Sequence, residues 1–175
     1  NQYINTLTEL KEFSEAQKIT KKRIKNENFG AFYKIKLGEI YELEGEQNKA
    51  NSYFESLIDD LNKKNTVSEY NLYANKFVRI LKYEYAISVF EKCDKTHDNS
   101  NHKISIANLH GLLGNHELMI ETYLDQIVIS PNQVQYVKAI LPRSINFLED
   151  ESIVTLLKKQ TLKKIQKNPE NESMY

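Results

Sequence analysis

The chain has 175 residues, enough for one compact domain or a short repeat array, and its 24 basic residues balance 24 acidic ones. This balance argues against a dedicated nucleic-acid or membrane-surface protein, because both usually carry a basic excess. Cys93 is the only cysteine, which excludes an intrachain disulfide and a cysteine-rich metal site. No apolar run approaches the roughly 18 residues needed to cross a bilayer.

In chain order, the spacing of apolar residues predicts ten helices joined by short turns rich in Asn, Ser and Lys. Only three prolines and five glycines occur, which suits a helical chain because both residues weaken helix interiors. Pro142 is expected to break or kink the ninth helix. The predicted helices span 2–11, 14–26, 30–44, 47–63, 67–81, 83–95, 101–113, 116–129, 133–148 and 151–167.

The strongest pattern is a recurrence of small or apolar residues at intervals of 34, 36 and 33 residues, namely Ala16, Ala50, Ala86 and Met119. A bulkier residue follows each of them four positions later, in the series Thr20, Phe54, Phe90 and Tyr123. A period near 34 indicates that one two-helix unit is stacked repeatedly.

In the clearest unit, Gly38 and Ala50 are small enough to let two paired helices approach closely. Gly45 stands between these helices and can take the positive φ that reverses the chain in few residues. Three larger side chains are expected to fill the space between the pair and its neighbours: Leu37, Tyr41 and Phe54.

This segment resembles a tetratricopeptide repeat, whose motif places these residue types at these offsets. Two further units fit the same register, although Leu81 stands where a turn glycine is usual and Met119 replaces a small residue. The resemblance implies an all-α solenoid of about five αα-hairpins with a right-handed superhelix, spanning residues 1–175 as one array. Its repeats are a partial one at 1–29, full ones at 30–64, 67–99 and 100–132, a degenerate one at 133–169 and the start of another at 170–175.

No catalytic constellation is recognisable in the sequence. Phosphate-binding loops, a nucleophile elbow and a His-Glu-x-x-His helix are all absent. The four histidines lack a third ligand at helical spacing, so no metal site and no cofactor are expected. Cys93 is interpreted as a packed, inert thiol, and His110 as a partly buried ring in an aromatic position. Acidic pairs and the two lysine clusters are interpreted as solvated helix faces, so the chain is not expected to be an enzyme.

The resemblance implies that the first helix of each repeat lines a concave groove. An inward-facing Asn amide could bond the backbone of an extended peptide, and Arg79 could hold a carboxylate. The alternative is that these positions are simply solvated or, for the isoleucine, packed between repeats. The candidate binding residues are Phe32, Ile35, Glu39, Glu42, Asn71, Asn75, Arg79 and Asn108.

The favoured function is a non-enzymatic scaffold or adaptor that holds a protein or peptide in this groove, without nucleic-acid binding or membrane insertion. A peptide-sensing regulatory module and a structural spacer in an envelope-associated assembly remain alternatives. The chain lacks an initiator Met and is expected to be an interior segment of a longer protein. A reducing cytoplasm and a bacterial periplasm both fit its single cysteine.

Overall fold

The computed structural model describes residues 2–26, 30–144 and 151–170. These residues form ten α-helices, one short 3-10 helix at Pro131–Gln133 and no strand, which confirms the predicted all-helical class. The helices are α1 Gln2–Glu9, α2 Phe13–Asn26, α3 Gly30–Leu43, α4 Gln47–Asp59, α5 Val67–Arg79, α6 Tyr83–Thr96, α7 Lys103–Leu112, α8 His116–Ile129, α9 Val134–Ser144 and α10 Glu151–Lys167.

The largest difference from the predicted bounds is at the end of α4, which stops at Asp59 and not at residue 63. Asn62 explains this end, because its side-chain amide donates to the Asp60 carbonyl (2.8 Å) and its Oδ1 accepts the Lys64 N–H (3.1 Å). Such local bonds compete with the helical ladder. Thr66 then caps the start of α5 and forms a reciprocal capping box with Glu69.

Helix α9 runs through Pro142 to Ser144. Of the two predicted outcomes, a break or a kink, the break at the proline does not occur. Pro142 lies within the last turn of the described helix. The proline lacks an N–H and so removes one intrahelical hydrogen bond, which the helix tolerates here without breaking. The predicted continuation to residue 148 and the predicted further repeat at 170–175 lie outside the described residues, apart from Glu170.

The chain divides into two compact units, Asn1–Ser100 and Asn101–Tyr175. In the first unit each helix of the pairs α1–α2, α3–α4 and α5–α6 packs on its partner, and α2 packs on α3. Contacts also link α3 with α5 and α4 with α6. In the second unit α8 is central, because α7, α9 and α10 all pack against it.

One turn geometry occurs four times, at the same spacing as the recurrent small or apolar residues of the sequence. The left-handed residues are Lys11 (φ 60°), Gly45 (φ 91°), Leu81 (φ 60°) and Gly114 (φ 73°), and each stands five positions before a residue of the recurrent small series. The next N–H donates to a carbonyl five residues back in all four turns: Glu12 to Leu7 (2.8 Å), Glu46 to Tyr41 (2.9 Å), Lys82 to Phe77 (2.9 Å) and Asn115 to His110 (2.9 Å). The turn therefore persists where glycine is missing.

We expect Leu81→Gly to raise the free energy of unfolding by about 1 kcal/mol, since a left-handed conformation is strained for leucine and free for glycine. Leu81 is 70% exposed, so little packing is lost. Urea unfolding followed by circular dichroism measures the change. As a matched control, Leu43→Gly removes a leucine that is 58% exposed at the end of α3 and should lower stability, because glycine is a poor helix former. A loss of stability in both variants would contradict the proposed strain.

The recurrent small or apolar residues are buried in the second helix of each pair, and glycines of the first helices make close contacts there. Ala16, Ala50, Ala86 and Met119 are all fully buried. A Cβ on Gly38 would lie within 2.8 Å of three atoms of the Phe54 ring, which confirms the predicted close approach. A Cβ on Gly111 would lie 2.8 Å from the Met119 Sδ atom. Gly111 thus supplies the room that lets Met119 replace a smaller residue.

Candidate functional site

The candidate site in the first unit is the surface where α3 and α5 lie against each other, which we call the α3–α5 face. Seven of the predicted binding residues are on these two helices, and six of the seven have half-buried or exposed side chains. On α3 their side chains are half-buried, whereas on α5 they become more exposed towards the helix end. The six are Phe32, Glu39 and Glu42 from α3, and Asn71 (half-buried), Asn75 (exposed) and Arg79 (exposed) from α5.

Three lysines that the sequence interpretation missed complete this face. The Lys76 ammonium lies 4.5 Å from the centroid of the Phe32 ring, which is within the range of a cation–π attraction. Lys36 Nζ lies 3.9 Å from Glu39 Oε2, one helical turn away on α3. Lys82, in the turn after α5, pairs with Glu42. Both glutamates of α3 therefore have a lysine partner, and the cations of α5 and of the turn after it lie beside side chains of α3.

Glu42 is held in place by more than its ion pair. Its Oε1 atom accepts hydrogen bonds from Lys82 Nζ and from Gln47 Nε2, the latter at 3.0 Å. Gln47 Nε2 also donates to Asn51 Oδ1 at 2.9 Å, and that oxygen accepts the Tyr85 hydroxyl at 3.2 Å. This network links α3, α4 and α6, so Glu42 stabilises the arrangement of the helices beneath the face.

Glu39 is electrostatically different from an exposed glutamate. Burial is the main cause that raises its pKa above the ordinary value, and the neighbouring Glu42 charge raises it further. Lys36, Lys76 and Lys82 act in the opposite direction but do not cancel the effect of burial. Glu39 consequently retains a proton to higher pH than an ordinary glutamate.

A raised pKa in the folded state means that the native protein binds this proton more tightly than the unfolded chain, so stability falls as pH rises through that range. Glu39→Gln mimics the protonated form. We expect the variant to be more stable than the wild type at pH 7.5 and to lose this advantage near pH 4. Urea titrations at both pH values test this, with the exposed Glu91→Gln as control. An equal advantage at both pH values would contradict it.

The most exposed polar side chains of the face are near the end of α5. Asn75 and Arg79 are both exposed, one helical turn apart. Within the described residues no ion pair engages Arg79, so its guanidinium can bind a carboxylate in bidentate fashion. Leu72 (42% exposed) and Leu43 (58% exposed) add apolar surface on the same two helices.

The structure places the remaining two predicted residues elsewhere. Ile35 is only 2% exposed, so its side chain packs within the first unit and offers no surface to a partner. Asn108 belongs to the second unit and is half-buried, with its Oδ1 atom accepting a hydrogen bond of 2.5 Å from the Tyr123 hydroxyl. Tyr123 is almost fully buried in α8, so Asn108 helps to hold α7 against α8.

Cys93 is fully buried in α6, and burial is the main cause that raises the pKa of its thiol. Its predicted packing is confirmed by this burial, but ligand atoms of Cys93, Asp94 and His102 lie within 4.8 Å of one another, a grouping that the sequence did not predict. His110 is half-buried, as predicted. Of the basic cluster on α10, Lys164 differs from the predicted solvated lysines, since its side chain is only 15% exposed and pairs with Asp125.

Comparison with protein-family models finds no match for the chain, and comparison with curated proteins also finds none. None of the described helices combines the length and the apolar character that a membrane span requires.

Proposed function

We propose that the chain is a solenoid similar to tetratricopeptide arrays and that its α3–α5 face binds an extended segment of a partner protein. The recurrence of one turn at Lys11, Gly45, Leu81 and Gly114 carries the architectural part of this proposal. Contacts between α3 and α5, and between α4 and α6, are those expected when helix pairs stack in register. The proposed activity is binding by surface complementarity, without covalent chemistry.

The composition of the α3–α5 face indicates which partner features it would recognise. Asn75 can both donate to and accept from the backbone of an extended peptide. Arg79 can pair with a partner carboxylate. The face has four cationic side chains and two glutamates; the cations are Lys36, Lys76, Lys82 and Arg79. It therefore favours a partner segment with acidic side chains. Leu43 and Leu72 can contact apolar side chains of the same segment.

The test is selection of displayed random dodecapeptides on the immobilised chain, followed by fluorescence polarisation with the selected sequences. We expect acidic peptides whose affinity falls about tenfold or more in the Asn75→Ala/Arg79→Ala variant, because each lost hydrogen bond contributes about 1 kcal/mol and one to a charged group more. The matched control is Glu55→Ala/Glu91→Ala, which changes two exposed positions on the second helices α4 and α6. That variant should bind unchanged.

Peptides that bind the Asn75→Ala/Arg79→Ala variant as tightly as the wild type would refute the proposed face. Selection of no peptide would refute the binding function. Asn108→Ala is measured separately, because it also breaks the hydrogen bond to Tyr123 and so reports on the second unit. The proposed face predicts little change in peptide affinity for that variant.

A further inference from the structure

The second unit contains an apolar cavity of about 190 Å³ where α8, α9 and α10 meet. Among the described residues, the walls are mainly aliphatic, with two such side chains from α8, three from α9 and one from α10. Two polar side chains also line it, one from α9 and one from α10. The described lining residues are Leu124, Ile127, Val134, Val137, Leu141 and Leu157, with Lys138 and Thr161.

The cavity lies between helices that are fixed by other contacts. Lys164 of α10 pairs with Asp125 of α8 and lies 3.9 Å from Glu121. Gln160 Nε2 lies 3.4 Å from the Glu117 carbonyl on α8. These bonds attach α10 to α8 along one side, while Val137 (4% exposed) of α9 packs in the same core. The space therefore lies between helices that polar and apolar contacts hold together.

Its size and lining suit an apolar guest. A cavity of about 150 Å³ lined by aliphatic and aromatic side chains stays dry and binds benzene in another protein. The present cavity is larger and also has mainly aliphatic walls, although it reaches the surface beside the exposed Lys138. A short hydrocarbon chain that leaves water for this cavity would therefore bind more tightly as it grows longer. The expected gain in affinity is about fourfold for each buried methylene.

The two polar groups determine which guest fits. Lys138 is exposed, and among the described residues no acidic group pairs with it. Thr161 is half-buried, and its hydroxyl makes no hydrogen bond within the described part of the chain. An ammonium and a hydroxyl donor beside an aliphatic cavity match the carboxylate of an amphipathic molecule.

We propose that this cavity binds a medium-chain monocarboxylate, with the hydrocarbon tail between α8, α9 and α10 and the carboxylate on Lys138 Nζ and Thr161 Oγ1. The site is independent of the α3–α5 face, since every residue that lines it belongs to the second unit. Its occupation would cover apolar surface of all three helices.

The test is isothermal titration calorimetry of the full chain with hexanoate, octanoate and decanoate. We expect affinity to rise about fourfold for each added methylene until the cavity is full, and then to level off. Octanoate should bind about tenfold more tightly than octanol, because only the acid offers a charged partner to Lys138 and Thr161. Lys138→Gln should abolish that preference while leaving octanol binding unchanged.

Val134→Phe is a second variant that fills the cavity and keeps both polar groups. It should weaken octanoate and octanol together, while circular dichroism verifies that the helices remain folded. Equal affinity for octanoate and octanol in the wild type would overturn the carboxylate assignment. Absence of binding by all three acids, or unchanged octanoate affinity in both Lys138→Gln and Val134→Phe, would overturn the site.

Discussion

Gly38→Ala is expected to lower the free energy of unfolding by about 3 kcal/mol, because the added methyl group overpacks a buried contact. Its Cβ would lie within 2.8 Å of three ring atoms of Phe54, which is fully buried. The ring cannot move freely, since it also packs edge-to-face on Phe77 (centroids 5.4 Å apart) and against Tyr85 (5.3 Å). Urea unfolding at 25 °C measures the loss.

Gly30→Ala is the matched control for this prediction. Gly30 is the first residue of the same helix, and among the described residues a Cβ there has no neighbour within 4 Å. The change should be neutral or slightly stabilising, because alanine is the better helix former. Combining Gly38→Ala with Phe54→Leu should recover part of the loss, since the smaller side chain vacates the contested space. Equal effects of the two glycine substitutions would contradict the close approach of α3 and α4.

Ala50→Leu is expected to lower the free energy of unfolding by about 1–3 kcal/mol, again through overpacking. Ala50 is fully buried in α4, on the helix that packs against α3. Ala86 is equally buried at the corresponding position of α6. The repeat register therefore predicts a loss of similar size for Ala86→Leu, which thermal and urea unfolding can compare directly.

Asn48→Leu provides the control for this second series. It introduces the same side chain on the same helix, at an exposed position two residues earlier. We expect a change within about 0.5 kcal/mol, as for most surface substitutions. A neutral Ala50→Leu variant would mean that the register assigned to the repeat is wrong.

The helices and their recurrent turns were predictable from sequence because the signals are local and periodic. The alanines Ala16, Ala50 and Ala86 are evenly spaced and fully buried, and glycines mark two of the four turns. The sequence did not reveal that Lys11 and Leu81 adopt the same left-handed conformation. Propensity disfavours such residues there, but packing of the adjacent helices overrides it. The room that Gly111 makes for Met119 is a similar compensation, visible only in three dimensions.

The candidate site was less predictable, because its chemistry depends on contacts between helices. Only the pairing of Lys36 with Glu39 has a local signal, since the two are three residues apart on one helix. The pairing of Lys82 with Glu42 joins residues 40 positions apart, and no local pattern encodes it. For Ile35, the register alone could not separate a groove position from a core position. Its burial in the first unit decides for the core.

The most direct test of the proposed solenoid measures distances between spin labels at equivalent exposed positions of successive second helices. Ser14, Asn48 and Glu84 are exposed and stand two residues before Ala16, Ala50 and Ala86 in the first unit. On a Cys93→Ala background, pairs of labels are compared by double electron–electron resonance. With helix layers about 10 Å apart, stacked helix pairs predict that the distance from Ser14 to Glu84 exceeds the distance from Ser14 to Asn48. A Ser14–Glu84 distance no longer than Ser14–Asn48 would indicate a closed bundle and contradict the proposed solenoid.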